Sequence, residues 1–285
     1  MNSFFRDISY KVFKSGDPVY LYIGINAFIF IAMGLVSVIL FLSGQQAGFQ
    51  DQVFTYVGFP ADLNKLPFRF YTLLTYQFFH EGLLHILFNM LWLFWMGRIF
   101  LDFLKARQFH FVYLGGGFAG ALVYLLAFNI FPVFMGSVSN GFVIGSSAAV
   151  MAIIVGTATL LPDYSMRLLL FGDVKLKYLA AGYVVLDMIS LASANAGGSF
   201  AHLGGGLFGF VFIRMLRAGT DWSSMFKRKP KLRVVHKDAN VRSQKSQTQE
   251  VDQRQIDAIL DKISQSGYDK LSKEEKEILF KASKH

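Results

Sequence analysis

The 285-residue sequence contains no cysteine and few charges: Asp, Glu, Lys and Arg together make up 16% of it, against about a quarter in an ordinary soluble domain. Without cysteine there are no disulfides, no thiolate metal ligands and no cysteine nucleophile. Any nucleophile must therefore be an oxygen or an amine. No internal repeat or inverted hydropathy symmetry is evident, which weighs against a secondary transporter. A separate signal peptide is not expected either, because the charged, amphipathic segment MNSFFRDISYKVFKSGDP precedes an apolar run long enough to span and remain.

What the chain has in excess is apolar sequence. Hydrophobic residues make up 53% of it, and 31 Phe outnumber both the 28 basic and the 19 acidic residues. They come in uninterrupted runs too long for soluble core helices, so the expected fold is all-α, a polytopic membrane protein. Six spans are predicted: Tyr20–Leu42, Leu83–Phe103, Phe109–Phe131, Phe142–Leu161, Tyr178–Ala194 and Phe200–Leu216. Asp187 interrupts the fifth, the weakest of the six.

The loops divide by charge. Lys11 and Lys14 precede the first span, while Arg98, Lys105 and Arg107 join the second to the third. Arg167, Lys175 and Lys177 join the fourth to the fifth, and Arg214 and Arg217 close the sixth. The alternate loops Met135–Gly141 and Ser193–Ser199 carry no charge. Basic loops stay in the cytoplasm, so both termini are expected there, in a bacterial plasma (inner) membrane. The remaining outer loop, Ser43–Gly82, is long and rich in Phe and Tyr; it fits either an interfacial segment or a loop packed on its own residues.

After Arg217 the composition turns to Lys, Arg, Ser and Gln. The expected organisation is a cytoplasmic segment 1–19, a six-helix domain 20–217, a basic disordered linker 218–249 and a cytoplasmic helical hairpin 250–285. In the hairpin, Ile256, Ile259, Leu260 and Ile263 form a stripe, Gly267 breaks the helix, and Ser272 with Glu275 forms a capping box. The net charge of +9 lies largely in this tail. Basic residues beside a transmembrane helix face anionic lipid more often than nucleic acid, so anionic lipid is the expected partner and nucleic acid is not. The hairpin also offers a surface for a cytoplasmic partner.

Polar groups inside spans are costly and need a reason. Spans two, four and six all enter from the outer side, and each carries polar residues one or two turns below that entrance: His85 and Asn89, then Ser146 and Ser147, then His202. Peptide-bond chemistry needs a nucleophile, a base and donors for an oxyanion. Ser147 can attack, His202 can take its proton, and the Ser147 backbone N–H with His85 and Asn89 can donate to the oxyanion. His85 and Asn89 are spaced i, i+4 and share a helix face. Each residue also has a bland reading: a membrane serine bonds its own i−4 carbonyl, and an asparagine bonds a neighbouring helix. Asp187 could partner a histidine, but its place in mid-span puts it deeper than His202 and favours a structural bond or a cavity contact. The glycine runs Gly115–Gly117 and Gly204–Gly206 read as helix-packing surfaces rather than phosphate loops.

Between Thr75 and Gly209 these residues resemble the rhomboid family of intramembrane serine proteases. HEGLLHILFNMLWLFWMG is similar to its H-x4-H-x3-N pattern, with His80, His85 and Asn89 in register. Gly145-Ser146-Ser147-Ala148 is similar to G-x-S-G and makes Ser147 the nucleophile, and AHLGGGLFG matches A-H-x-x-G-x-x-x-G through Ala201, His202, Gly205 and Gly209. There are departures: Ala148 replaces the glycine after the nucleophile, Met151 stands where a tyrosine often packs on the histidine, and Tyr71-Thr72 replaces a Trp-Arg pair, with Arg69 nearby but out of register. The resemblance implies a six-helix bundle around a Ser147–His202 dyad, without metal or cofactor. Its substrates would be single-pass membrane proteins cut in or beside their helix, entering between the second and fifth spans. The rival readings are a catalytically inactive relative that binds membrane helices, and a transporter or channel using His85, His202 and Asp187 as a proton relay.

Overall fold

The structure, a computed structural model, describes residues 3–44, 48–168, 172–193, 195–226 and 253–282. The chain divides into two compact units, Met1–Arg228 and Lys229–His285.

In the first unit α1 (Ser3–Phe13) leads into α2 (Pro18–Leu42). Asp17 caps α2 by accepting from the Val19 N–H at 2.9 Å, and Pro18 at the first helical position suits the turn. Phe28, Ile31, Leu35, Ile39 and Phe41 of α2 are exposed, as suits a helix facing lipid. There follow α3 (Phe49–Val57), β1 (Phe59–Pro60), α4 (Thr72–Thr75), α5 (Leu83–Phe103), α6 (Ala106–Ile130), β2 (Phe142–Val143) and α7 (Ser147–Leu160). The unit continues through β3 (Ser165–Leu168), β4 (Gly172–Lys175), α8 (Leu176–Ser190) and α9 (Ala196–Arg217). Among the described residues four helices, α2, α5, α6 and α9, are long and apolar enough to cross a membrane. The helices at the fourth and fifth expected spans are shorter, 14 residues in α7 and 15 in α8.

The short α7 corrects the expectation of a helix from Phe142. Phe142 and Val143 instead form β2, which pairs antiparallel with β1 through Phe59↔Val143 and Pro60↔Phe142. Within β2 Val143 is buried and Phe142 exposed. Almost every residue of α7 is buried, from Ala148 through Ile154 without interruption; a helix apolar on all sides is a core helix. It need not match the bilayer because its neighbours do.

Small residues let those neighbours close in. Ala148 and Ala152 of α7 lie between Gly116 and Gly120 of α6 on one side and Gly205 and Gly209 of α9 on the other. A Cβ at Gly205 would fall on the Ala148 carbonyl and one at Gly209 on the Ala152 carbonyl. The glycine runs are thus packing surfaces, as expected.

Part of the Ser43–Gly82 loop packs on the bundle. Phe59, Ala61 and Tyr76 pack inward against Tyr124, Phe128 and Val143, and the Tyr76 hydroxyl donates to the Gly117 carbonyl at 2.5 Å. Its other side exposes Phe68 and Phe70, 83% and 74% accessible, which suits contact with lipid headgroups. Arg69 clamps the loop by donating to the Thr55 carbonyl at 2.7 Å and lying over the Tyr56 ring.

Residues 218–226, assigned above to a disordered linker, are folded. Arg107 pairs with Asp221 at 2.8 Å and donates to Ser223 Oγ at 3.0 Å. Burial disfavours the Asp221 charge, but hydrogen bonds from Ser223 and Arg107 outweigh it and hold the carboxyl below its ordinary range. The charge at Arg107 thus finds a partner beyond Arg217. The remainder of the expected basic linker, 227–249, lies outside the described residues.

The second unit contains α10 (Gln253–Ser266) and α11 (Lys273–Ala282). Gly267 breaks the chain between them with φ +83°, a region glycine adopts readily. The capping box forms: Ser272 N–H donates to Glu275 Oε2 at 2.7 Å and Glu275 N–H to Ser272 Oγ at 3.2 Å. Lys262 reaches across to Glu275 at 2.8 Å. Ile259 is buried while Leu260, placed on the same stripe from the sequence, is half exposed.

Candidate active site

The site is assembled at the first turn of α7. Gly145 has φ +119°, a conformation that side chains other than glycine rarely adopt, and a Cβ there would lie 2.8 Å from His85 Nε2. The imidazole of His85 therefore rests on the backbone two residues before Ser147. The Gly145 N–H donates to the Tyr76 carbonyl at 2.8 Å. The Ser146 N–H donates to His80 Nε2 at 3.3 Å, and Ser146 Oγ lies 3.0 Å from the same nitrogen. Burial, and next the neighbouring His85, push the pKa of His80 down to about 3, so the ring, which precedes α5, is neutral and its Nε2 accepts.

These contacts separate the two serines. Ser146 is fully buried and held by His80; Ser147 is partly accessible. The Ser147 N–H opens α7, and the first N–H groups of a helix have no partner within it. Together they carry the positive end of the helix dipole.

His85 and Asn89 approach from α5. The Asn89 amide donates to the His85 carbonyl one turn back, at 2.9 Å. That is the bland role considered for it, made within its own helix, and an amide has a second hydrogen to donate. His80 and His85 meet edge to face, ring centres 5.0 Å apart. His85 is also within electrostatic reach of His202.

His202 lies in the second turn of α9, the helix that Gly205 and Gly209 draw against α7. Among the described residues its hydrogen bond runs from Nδ1 to Asp187 Oδ1, at 2.8 Å, rather than to Ser147. Met151 is buried in the hydrophobic core. His85 thus lies on Gly145 beside Ser147, His80 holds Ser146, Asn89 bonds back to His85, and Gly205 and Gly209 pack the helix that carries His202 against α7.

Asp187 is the residue the sequence reading placed wrongly. The apolar run predicts a fifth span to Ala194, with Asp187 in its middle. α8 ends at Ser190, so Asp187 lies in the last turn, level with His202 and bonded to it. The available signal was the acid itself in an apolar run; hydropathy did not reveal where the helix stops.

The Rhomboid domain family model matches residues 67–219, more than half of the chain. A family of unknown function (DUF6576) matches residues 238–285. No curated protein matches the chain.

Proposed function

Because the chain belongs to the rhomboid family, we propose that it is an intramembrane serine protease that hydrolyses peptide bonds in or beside the transmembrane segments of single-pass membrane proteins. The observation that carries this reading is the start of α7 at Ser147, an accessible hydroxyl on a helix N-terminus with His85 packed beside it and His202 on the adjoining helix.

In this mechanism Ser147 Oγ attacks the scissile carbonyl carbon as its proton passes to His202 Nε2. The carbonyl electron pair moves to oxygen, and the oxyanion is held by the Ser147 N–H and by His85 and Asn89. The tetrahedral intermediate collapses with cleavage of the C–N bond, and the His202 imidazolium gives its proton to the leaving amine. Water then attacks the acyl-enzyme, losing a proton to His202; the Oγ–C bond breaks, the carboxyl product leaves, and His202 returns the proton to Ser147 Oγ. Donors buried among helices act in a low dielectric and need no reorganisation at the moment of reaction.

The basic flanks favour an orientation with both termini in the cytoplasm and Ser147 towards the outer side. Substrate helices would approach between α5 and α8. The basic tail would bind anionic lipid.

The test is fluorophosphonate labelling of the purified protein together with cleavage of a single-pass reporter in liposomes. Wild type is expected to label and cleave. Ser147→Ala and His202→Ala are expected to do neither while remaining folded, since nucleophile and base work as a unit. A folded wild type that is inert in both assays, yet retains reporter helices, would instead be an inactive, helix-binding relative.

A further inference from the structure

α8 turns few residues inward. Its buried residues are Leu176, Ala180 and Asp187, spaced i, i+4 and i+11 along one stripe, so an acid occupies a core-facing position where an apolar side chain would pack at no electrostatic cost. A carboxylate in a membrane helix is disfavoured unless it is paired or functional. Among the described residues its salt-bridge partner is His202, 2.8 Å from Oδ1, while Oδ2 is buried without a hydrogen bond. Tyr183, one turn earlier, lies in its electrostatic field. A structural role alone would favour an acid with both oxygens satisfied, or none.

We propose that Asp187 is a positioning residue for the base, so that Ser147, His202 and Asp187 act as a triad. This rests on the serine protease reading above. An ionised carboxylate only accepts hydrogen bonds, so Nδ1 of His202 must carry the ring proton. The lone pair is then on Nε2, the nitrogen that has to accept from Ser147 Oγ. Without the carboxylate the ring is free to flip or to take the other tautomer, and in either case Nε2 is lost as the base. The imidazolium formed as Ser147 attacks also gains a counter-charge at 2.8 Å in place of water. Asp187 touches neither substrate nor the reacting atoms; it acts through His202.

The experiment compares full-length wild type, Asp187→Asn and Asp187→Glu in the same liposomes, measuring kcat and KM on a single-pass reporter, the rate constant of fluorophosphonate labelling, and thermal unfolding. The Asn variant keeps the shape but its amide can donate to Nδ1 and favour the wrong tautomer. Its kcat and labelling rate should fall at least about tenfold while KM and the unfolding midpoint stay near wild type; Glu should recover part of the loss. An Asn variant that labels and turns over as fast as wild type overturns the proposal. So does one that loses folded protein in step with activity, since Asp187 then serves the fold. A wild type that neither labels nor cleaves overturns the protease reading itself, and the role of Asp187 with it.

Discussion

His80 Nε2 stands between the two polar atoms of Ser146, 3.0 Å from its Oγ and 3.3 Å from its amide nitrogen. One neutral imidazole thereby fixes the residue before Ser147. Of the two serines of the G-x-S segment, Ser146 is thus buried and held in the turn while Ser147 stays partly accessible.

Ser146→Ala should accordingly label with fluorophosphonate at a rate near wild type and lose about 0.5–1.5 kcal/mol of stability, the ordinary net value of a hydrogen bond. His80→Ala should cost more, about 1–3 kcal/mol, because it leaves the buried Ser146 N–H unsatisfied. Thermal unfolding and labelling of the two variants check this order. A labelled Ser147→Ala beside an unlabelled Ser146→Ala would move the nucleophile by one residue.

His85→Ala and Asn89→Ala should reduce kcat by about 10²–10³-fold with smaller changes in KM, since an oxyanion donor acts mainly in the transition state. Asn89 already donates to the His85 carbonyl, so its variant should also loosen this turn of α5. Steady-state kinetics on a membrane reporter separate the two parameters. A rise in KM with kcat unchanged would demote both residues to packing.

Gly205→Ala should force α9 from α7, because the added methyl meets the backbone carbonyl of Ala148 and not a movable side chain. Overpacking of this kind costs about 1–3 kcal/mol, and activity should fall with it as His202 shifts. Gly182→Ala in α8, where a Cβ meets nothing within 4 Å, is the control and should be neutral or mildly stabilising. Unfolding midpoints of the two variants give the comparison.

Truncation should distinguish the two sides of Phe226. A chain ending at Phe226 keeps the Arg107–Asp221 pair and the Arg107–Ser223 bond and should label as fast as wild type. A chain ending at Gly219 removes Asp221 and Ser223 and leaves Arg107, about one-third accessible, without them; it should unfold at lower temperature. Equal stability of the two truncations would show that the folded segment 220–226 adds nothing to the bundle.

The membrane character, the approximate helices and the chemical groups were all legible in the sequence, because they depend on local quantities. An apolar run reports transfer out of water, and the i, i+4 spacing of His85 and Asn89 follows from helical geometry alone. Ser272 and Glu275 found each other because a capping box is made within one turn. What the sequence did not reveal was where helices stop and which groups face each other. Hydropathy cannot tell lipid from protein interior, so Phe142 and Val143 read as helix although they pair with Pro60 and Phe59, some eighty residues away. For the same reason the fifth span read too long, and Asp187 was assigned a depth it does not have. Only the packing of α8 against α9 brought its carboxylate to His202, and only the backbone turn at Gly145, held by Tyr76 and His80, decided which serine is buried and which stays partly accessible. Those are contacts between distant segments, set by the close approach that small residues permit, and no local pattern encodes them.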